Sequence, residues 1–148
     1  MLVVDAKDVP RLYDDFYRFL VSAGIDSVKT DAQFFLDEID TAPARRALTT
    51  TYLDAWKTAQ LRHFAGNAIS CMSQTPPILF HSQLPSNMPA LPVRNSDDFF
   101  PEVEASHTWH VFCNAHNSLL TKHLNVLPDW YGPFKVLVSL SCRANPDI

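Results

Sequence analysis

Residues 24–31, GIDSVKTD, join a predicted helix to a short predicted strand that finishes on a carboxylate. Apolar residues within 8–23 recur at the spacing of one helical face, and Asp8 is a candidate N-cap. Gly24 suits the position that ends a helix, and residues 25–31 are compatible with a strand. A helix, a glycine and then a strand are typical of the α-to-β connection in an α/β fold.

The same alternation of helices and strands continues along the chain. Residues 74–90 are rich in Pro, Ser and Asn, and we predict mostly a loop there, with a helical turn or two. The resulting order, α-β-α-β-loop-β-α-β, predicts an α/β fold with a parallel sheet. The remaining predicted elements are helices over about 42–65 and 105–123, capped by Thr41 and Ser106, and strands over 68–72, 90–95 and 125–130.

Length and composition narrow the class of protein. The chain has 148 residues, of which 47% are hydrophobic, so it is long enough for one packed domain. A net charge of −4 without a basic cluster argues against a nucleic-acid partner. Cys71, Cys113 and Cys142 have neither disulfide-framework nor zinc-site spacing, so we expect a reducing, cytoplasmic location. No segment reaches the roughly 18–20 apolar residues of a membrane span, so no membrane partner is expected.

Carboxylates follow the predicted strands, where parallel α/β folds build their sites. Asp31, Asp97, Asp98 and Asp129 all lie at or just beyond strand ends. Two carboxylates from separate strands can cleave a glycoside, one as nucleophile and the other as acid and base. Lys29 shares a strand side with Asp31 and supplies a nearby cation. The alternative is that these acids are solvated loop residues that cap helices.

The segment SHTWHVFCNAH, residues 106–116, raises a second chemical possibility. His107 and His110 share a helical face, but no glutamate completes an HExxH zinc motif, so we expect packing histidines and no metal. A Cys113–His116 nucleophile pair lacks a third group to orient it. The residues predicted to point inward are Trp109, Phe112, Cys113, His116, Leu119 and Leu120. Of the other tryptophans, Trp56 is predicted in the core and Trp130 near a site.

Five collinear blocks carry a resemblance to a known family. Together they resemble the raffinose synthase and seed imbibition protein group, which with the alkaline α-galactosidases belongs to glycoside hydrolase family thirty-six. The resemblance runs from about Val3 to Trp130. It implies a (β/α)8 barrel that acts on α-galactosides, or on galactinol and sucrose, through a galactosyl-enzyme intermediate and without a cofactor or metal. The blocks are GIDSVKTDAQ (24–33), CMS (71–73), RNSDDFFP (94–101), SHTWHVFCNAHNSLL (106–120) and LNVLPDW (124–130).

The resemblance also implies roles for individual residues. Asp31, in the Lys-Thr-Asp motif, matches the family's nucleophile. Asp98 matches the acid/base through the Arg-x-x-x-Asp spacing from Arg94, and an alignment on the Ser-Asp pair would choose Asp97 instead. The other matched residues are implied to bind sugar: Lys29 and Arg94 as sugar contacts and Cys71 as a residue that lines the pocket. Asp129 and Trp130 match the start of the family's PDWDMF block and are also implied to bind sugar. The second acid of that block is replaced here by Tyr131.

The resemblance stops short of a whole barrel. We predict that residues 1–130 form a partial glycosidase catalytic barrel, with the middle-to-late strands and their helices, and that 131–148 are an atypical tail. The chain is therefore expected to be a fragment or truncated product, because about four strands cannot close a barrel. The expected activity is that of a retaining α-galactosidase or galactosyltransferase. The alternative is an inactive fragment or a sugar-binding remnant, and the sequence leaves the acceptor sugar and the oligomeric state open.

Overall fold

Four short strands and four α-helices alternate along the chain in a computed structural model that describes residues 3–31, 33–82, 84–87 and 92–129. Every predicted helix and strand is present within these residues, and the strands are shorter than expected. The elements are α1 Val9–Ser22, β1 Val28–Thr30, a 3-10 helix Gln33–Glu38, α2 Ala42–Phe64, β2 Ala68–Ser70, α3 Pro76–Ser82, β3 Val93–Asn95, α4 Glu104–Leu120 and β4 Val126–Pro128.

The strands form one sheet in chain order, β1-β2-β3-β4. β1 and β2 are parallel, with Lys29 opposite Ile69, and β2 and β3 are parallel, with Ser70 opposite Val93. The backbone N–H of Val93 donates to the carbonyl of Asn125, 2.8 Å away, at the start of β4. The expected α/β fold with a parallel sheet is confirmed.

The described residues divide into two compact units. The first contains the chain up to Arg94 together with 123–126, and the second contains 95–122 and 127–129. In the first unit the core lies between α1, α2 and the sheet, and Trp56 is 2% exposed, which confirms its predicted place. The core residues are Tyr17, Trp56, Ala59, Phe64 and Ala68, with Tyr13, Leu20 and Val28 packed against them.

Helix ends follow the sequence signals in part. α1 ends before Gly24, which has φ of 87° as predicted, because glycine adopts the left-handed region without strain. α2 ends at Ala65, which itself has φ of 51°. Asp8 and Thr41 occupy N-cap positions, but neither side chain makes a capping hydrogen bond. These two helices are therefore held by packing and not by side-chain caps.

The predicted inner face of α4 is wrong. Trp109 is 64% exposed and Leu119 is 76% exposed, and Phe112 and Leu120 are exposed as well. The buried residues of α4 are His110 and Asn114. α4 also begins at Glu104, two residues before the predicted cap Ser106, whose hydroxyl instead donates to the carbonyl of Val103. This face lies inward because Asn114 Nδ2 donates to the Ser96 hydroxyl and the His110 ring packs against Phe99, both of which follow β3.

One predicted element is confirmed and one is new. α3 is the helical turn or two that was predicted within residues 74–90; prolines suit its first turn, and Ile78 is buried. The 3-10 helix Gln33–Glu38 follows β1 without a sequence signal, and it buries Gln33 and Leu36. Trp130 and the predicted 131–148 tail lie outside the described residues. Among the helices of the described residues, none combines the length and the apolar character needed to cross a bilayer.

Candidate functional site

Predicted site residues of the first unit lie on three adjacent strands. Lys29 is in β1 and Asp31 directly follows it, Cys71 directly follows β2, and Arg94 is in β3. Because parallel neighbours end at the same edge of a sheet, these positions share one edge. Lys29 and Asp31 are exposed, whereas Cys71 is 1% exposed and Arg94 is 5% exposed.

The thiol of Cys71 interacts with the other three predicted site residues of the first unit. It hydrogen-bonds the carboxylate of Asp31, and the charges of Arg94 and Lys29 act on it. Burial raises the pKa of the Cys71 thiol, Asp31 raises it further, and Arg94 and Lys29 oppose the rise. The backbone N–H of Cys71 also donates to the carbonyl of Thr30, 2.8 Å away. A carboxylate, a thiol and two cations therefore form one polar cluster at the sheet edge.

Thr30 anchors the end of β1 and was missed by sequence reasoning. Its hydroxyl oxygen accepts a 2.7 Å hydrogen bond from Trp56 Nε1 and lies 2.7 Å from the hydroxyl of Tyr17. Since an indole N–H can only donate, the direction of the first bond is certain. The sequence signal that could have indicated Thr30 is that the polar groups of buried Tyr and Trp side chains usually find a hydrogen-bond partner. The residue before Asp31 is thereby tied to both α1 and α2.

The turn after β2 has unusual backbone geometry. Met72 has φ of 47°, a left-handed conformation that costs energy for any residue with a Cβ atom. The hydroxyl of Ser73 donates to the carbonyl of Cys71 at 2.8 Å and is hydrogen-bonded to the hydroxyl of Ser70. Gln74 Nε2 donates to the carbonyl of Arg94 at 3.3 Å. These bonds hold Cys71 in place, and strained turns of this kind cluster at functional sites.

In the second unit, the predicted acid/base segment lies directly after β3. Asp97 and Asp98 are both exposed. Ser96 has φ of 62°, and its hydroxyl accepts a 2.8 Å hydrogen bond from Asn114 Nδ2. Of the two aromatic residues that follow, Phe99 is 4% exposed and Phe100 is 48% exposed, so only one packs inside. The carboxyl groups therefore project from a short segment whose ends are held.

Phe99 is the inner anchor of that segment. Its ring centroid lies 5.1 Å from that of His107 and 5.2 Å from that of His110, and both histidines are on α4. The Phe99 N–H donates to Asp129 Oδ2, 3.3 Å away, and Asp129 is 8% exposed. The contacts of both histidines with Phe99 agree with the predicted packing role. Within the described residues, no group of three His, Cys, Asp or Glu side chains is arranged to hold a metal.

The structure thus places the predicted site residues in two groups. Lys29, Asp31, Cys71 and Arg94 belong to the first unit, and Asp97, Asp98 and Asp129 belong to the second. Trp130, predicted to contact sugar, lies outside the described residues.

Comparison with known proteins gives one family and two relatives. A family model described as raffinose synthase or seed imbibition protein Sip1 matches residues 1–137, which extends past Trp130. The chain is 32% identical over 130 residues to an Arabidopsis thaliana protein named "Probable galactinol–sucrose galactosyltransferase 6", covering 86% of this chain and 17% of that protein. It is 33% identical over 130 residues to "Probable galactinol–sucrose galactosyltransferase 1" of the same plant, covering 86% of this chain and 16% of that protein. The chain therefore spans about one sixth of the length of these curated relatives.

Proposed function

This chain belongs to the raffinose synthase and seed imbibition protein family, and from that premise we propose that it transfers a galactosyl group from an α-galactoside with retention of configuration. Two relatives are named galactinol–sucrose galactosyltransferases, which favours a sugar hydroxyl as the acceptor. Hydrolysis, with water as the acceptor, is the same chemistry with a different second substrate. Galactinol and sucrose are the proposed sugar partners.

The proposed mechanism uses two carboxylates, one as the nucleophile and the other as the acid and base. Asp31 attacks the anomeric carbon, the glycosidic bond breaks, and a galactosyl-enzyme ester forms. Asp98 donates its proton to the departing oxygen and then removes a proton from the acceptor hydroxyl, which displaces Asp31. Lys29 and Arg94 offer donors for the sugar hydroxyl oxygens. Asp97 remains the alternative to Asp98.

One observation carries the proposal: the thiol of Cys71 hydrogen-bonds Asp31 within reach of the charges of Lys29 and Arg94. Residues that the family resemblance marks as nucleophile and sugar contacts are therefore neighbours at one sheet edge. A carboxylate with adjacent cations suits a nucleophile, because the cations favour the ionised, attacking form. Solvated helix-capping acids would not need such neighbours.

We also propose that the sheet is part of a (β/α)8 barrel. The strand order β1-β2-β3-β4 follows the chain, and helices separate successive strands. A barrel keeps this order around its circumference, whereas a doubly wound sheet reverses its order at a switch point. The sequential order therefore supports the barrel.

The experiment uses an aryl α-galactoside with the native chain, Asp31→Ala and Asp26→Ala. Asp26 precedes β1 and Asp31 follows it, so Asp26→Ala is a control at the opposite end of the same strand. We expect Asp31→Ala to lower the release of the aryl alcohol by about 10³-fold or more and Asp26→Ala to leave it unchanged. Added azide should restore release from Asp31→Ala and give the galactosyl azide of inverted configuration. Full activity in Asp31→Ala would overturn the assignment.

A second candidate function is binding of an α-galactoside without turnover. It is favoured by the polar cluster around Cys71, because a carboxylate and two cations can hold sugar hydroxyls whether or not a glycosidic bond is cleaved. This candidate predicts no product from the native chain, together with sugar binding in a calorimetric titration that Lys29→Ala weakens. Turnover by the native chain would exclude it.

A cytoplasmic location is proposed from cysteine usage. Cys71 and Cys113 are free thiols, and Cys71 is buried. Unpaired, scattered cysteines are typical of proteins from reducing compartments. A fluorescent fusion that accumulates in an oxidising compartment would contradict this proposal.

A further inference from the structure

We propose that Asp129 is a positioning residue that holds the backbone beside Asp98, and that it does not bind the sugar itself. The inference rests on the proposed function, in which Asp98 is the acid/base. Asp129 Oδ2 accepts a 3.3 Å hydrogen bond from the N–H of Phe99, the peptide group directly after Asp98. Asp129 is 8% exposed, so its carboxylate is largely withdrawn from solvent, where a sugar would have to reach it.

The segment that carries Asp98 needs such an anchor. It lies outside the helices and strands, and Asp98 is exposed, so the direction of its carboxyl group depends on the backbone around it. On one side, the Ser96 hydroxyl is held by Asn114 Nδ2 at 2.8 Å. On the other side, the Phe99 ring packs against His107 and His110, and the Phe99 N–H is held by Asp129.

The hydrogen bond between the Phe99 N–H and the Asp129 carboxylate is of a kind that can fix the backbone beside Asp98. A hydrogen bond from a backbone N–H to an ionised carboxylate is roughly twice as strong as one between neutral groups. The bond joins residues 30 positions apart in sequence, from the turn after β3 to the end of β4. A shift of about 1 Å in a catalytic group can lower a rate by about 10²-fold. Loss of the Asp129 carboxylate should therefore affect catalysis without any sugar contact being lost.

The test compares Asp129→Asn, which keeps an oxygen acceptor, with Asp129→Ala, which removes it. The first measurement is amide hydrogen exchange at Phe99. We expect exchange to accelerate by about 10-fold or more in Asp129→Ala and to stay within about 3-fold of the native rate in Asp129→Asn. Equal protection of Phe99 in the native chain and Asp129→Ala would overturn the proposal. The amide of Cys71, bonded to Thr30 in the first unit, serves as the folding control.

The second measurement is steady-state kinetics with the aryl α-galactoside. A positioning role predicts that Asp129→Ala lowers kcat by about 10²-fold with little change in KM, and that Asp129→Asn restores most of kcat. A direct sugar contact predicts instead that both variants raise KM while Phe99 stays protected, which would also overturn the proposal. An inactive native chain would count against the proposed function alone, because the exchange measurement still tests whether Asp129 holds the Phe99 amide.

A third measurement needs no variant and covers the case in which Asp129→Ala does not fold. In the native chain, a scalar coupling across the hydrogen bond should connect the Phe99 amide nitrogen to the side-chain carboxyl carbon of Asp129. Absence of this coupling would overturn the proposal.

Discussion

The indole Nε1 of Trp56 donates a 2.7 Å hydrogen bond to the hydroxyl of Thr30, the residue directly before the proposed nucleophile Asp31. The hydroxyl of Tyr17 lies 2.7 Å from the same oxygen. Trp56 and Tyr17 are 2% and 1% exposed, so water cannot replace this partner easily. The position of Asp31 therefore depends on two helices that themselves carry no proposed catalytic residue.

Thr30→Val should destabilise the first unit. Valine has nearly the same shape but no hydroxyl, so the buried indole N–H and the Tyr17 hydroxyl lose their shared partner. We expect the free energy of unfolding to fall by about 2–3 kcal/mol, measured by urea unfolding followed through tryptophan fluorescence.

Thr30→Ser is the matched control for that prediction. Serine keeps the hydroxyl and removes one methyl group, which should cost about 1 kcal/mol or less. A loss of stability in Thr30→Val no greater than that in Thr30→Ser would contradict the prediction.

The ionisation of Cys71 should report the electrostatics of the proposed site. Because Asp31 raises the pKa of the Cys71 thiol, Asp31→Asn should lower it. Because Arg94 lowers that pKa, Arg94→Gln should raise it. The measurement is the Cys71 β-carbon resonance as a function of pH, in a chain that also carries Cys113→Ser and Cys142→Ser.

Asp26→Asn is the control for the Cys71 prediction. It removes a carboxylate at the opposite end of β1 and should leave the Cys71 titration unchanged. An unchanged pKa of Cys71 in Asp31→Asn would contradict the hydrogen bond between the two side chains.

Asn95 should be the most sensitive polar residue of the second unit. It is 1% exposed, and its amide nitrogen donates to the Asn114 carbonyl at 3.0 Å and to the Ser118 hydroxyl at 3.1 Å. Its oxygen accepts from Asn117 Nδ2 at 3.0 Å. Asn95→Ala should lower the free energy of unfolding by about 2–3 kcal/mol, because it leaves partly buried groups unpaired.

Asn117→Ala is the comparison for Asn95, since it removes one bond of that network. It should cost about 1 kcal/mol in the same urea experiment. A larger loss from Asn117→Ala than from Asn95→Ala would place the centre of the network elsewhere.

Alkaline pH should weaken the packing of α1 through Tyr13. Burial raises the pKa of Tyr13 from 10.0 to about 12. The unfolded chain therefore releases this proton at lower pH than the folded chain does. The stability contributed by neutral Tyr13 is complete below pH 10 and is lost as the pH rises from 10 towards 12.

Tyr13→Phe separates this effect from general alkaline denaturation. Phenylalanine cannot ionise, so urea midpoints measured from neutral pH to about pH 11 should fall less steeply in the variant. It also loses the hydrogen bond from Gln33 Nε2, which is 3.2 Å from the Tyr13 hydroxyl, so its midpoint at neutral pH should be slightly lower. Identical slopes in the two proteins would contradict the prediction.

The success of sequence reasoning depended on how local each signal was. Gly24 ends α1 because a left-handed residue is needed within that same turn, and the strand positions follow from short apolar runs. The burial of α4 could not be predicted in the same way. Its apolar spacing suggested that Trp109 lies inside, but His110 and Asn114 lie there because they meet residues beyond their own helix, Ser96 and Phe99.

Sequence alone was therefore enough for the order of helices and strands and for the positions of Asp31, Cys71 and Asp98 after successive strands, because these depend on neighbours in the chain. The partners of these residues came only from the folded chain. Thr30 meets Trp56 across 26 positions, and Phe99 meets Asp129 across 30. The periodicity of apolar residues in the sequence cannot predict such pairs, because each pair forms only after packing has brought distant segments within hydrogen-bonding distance.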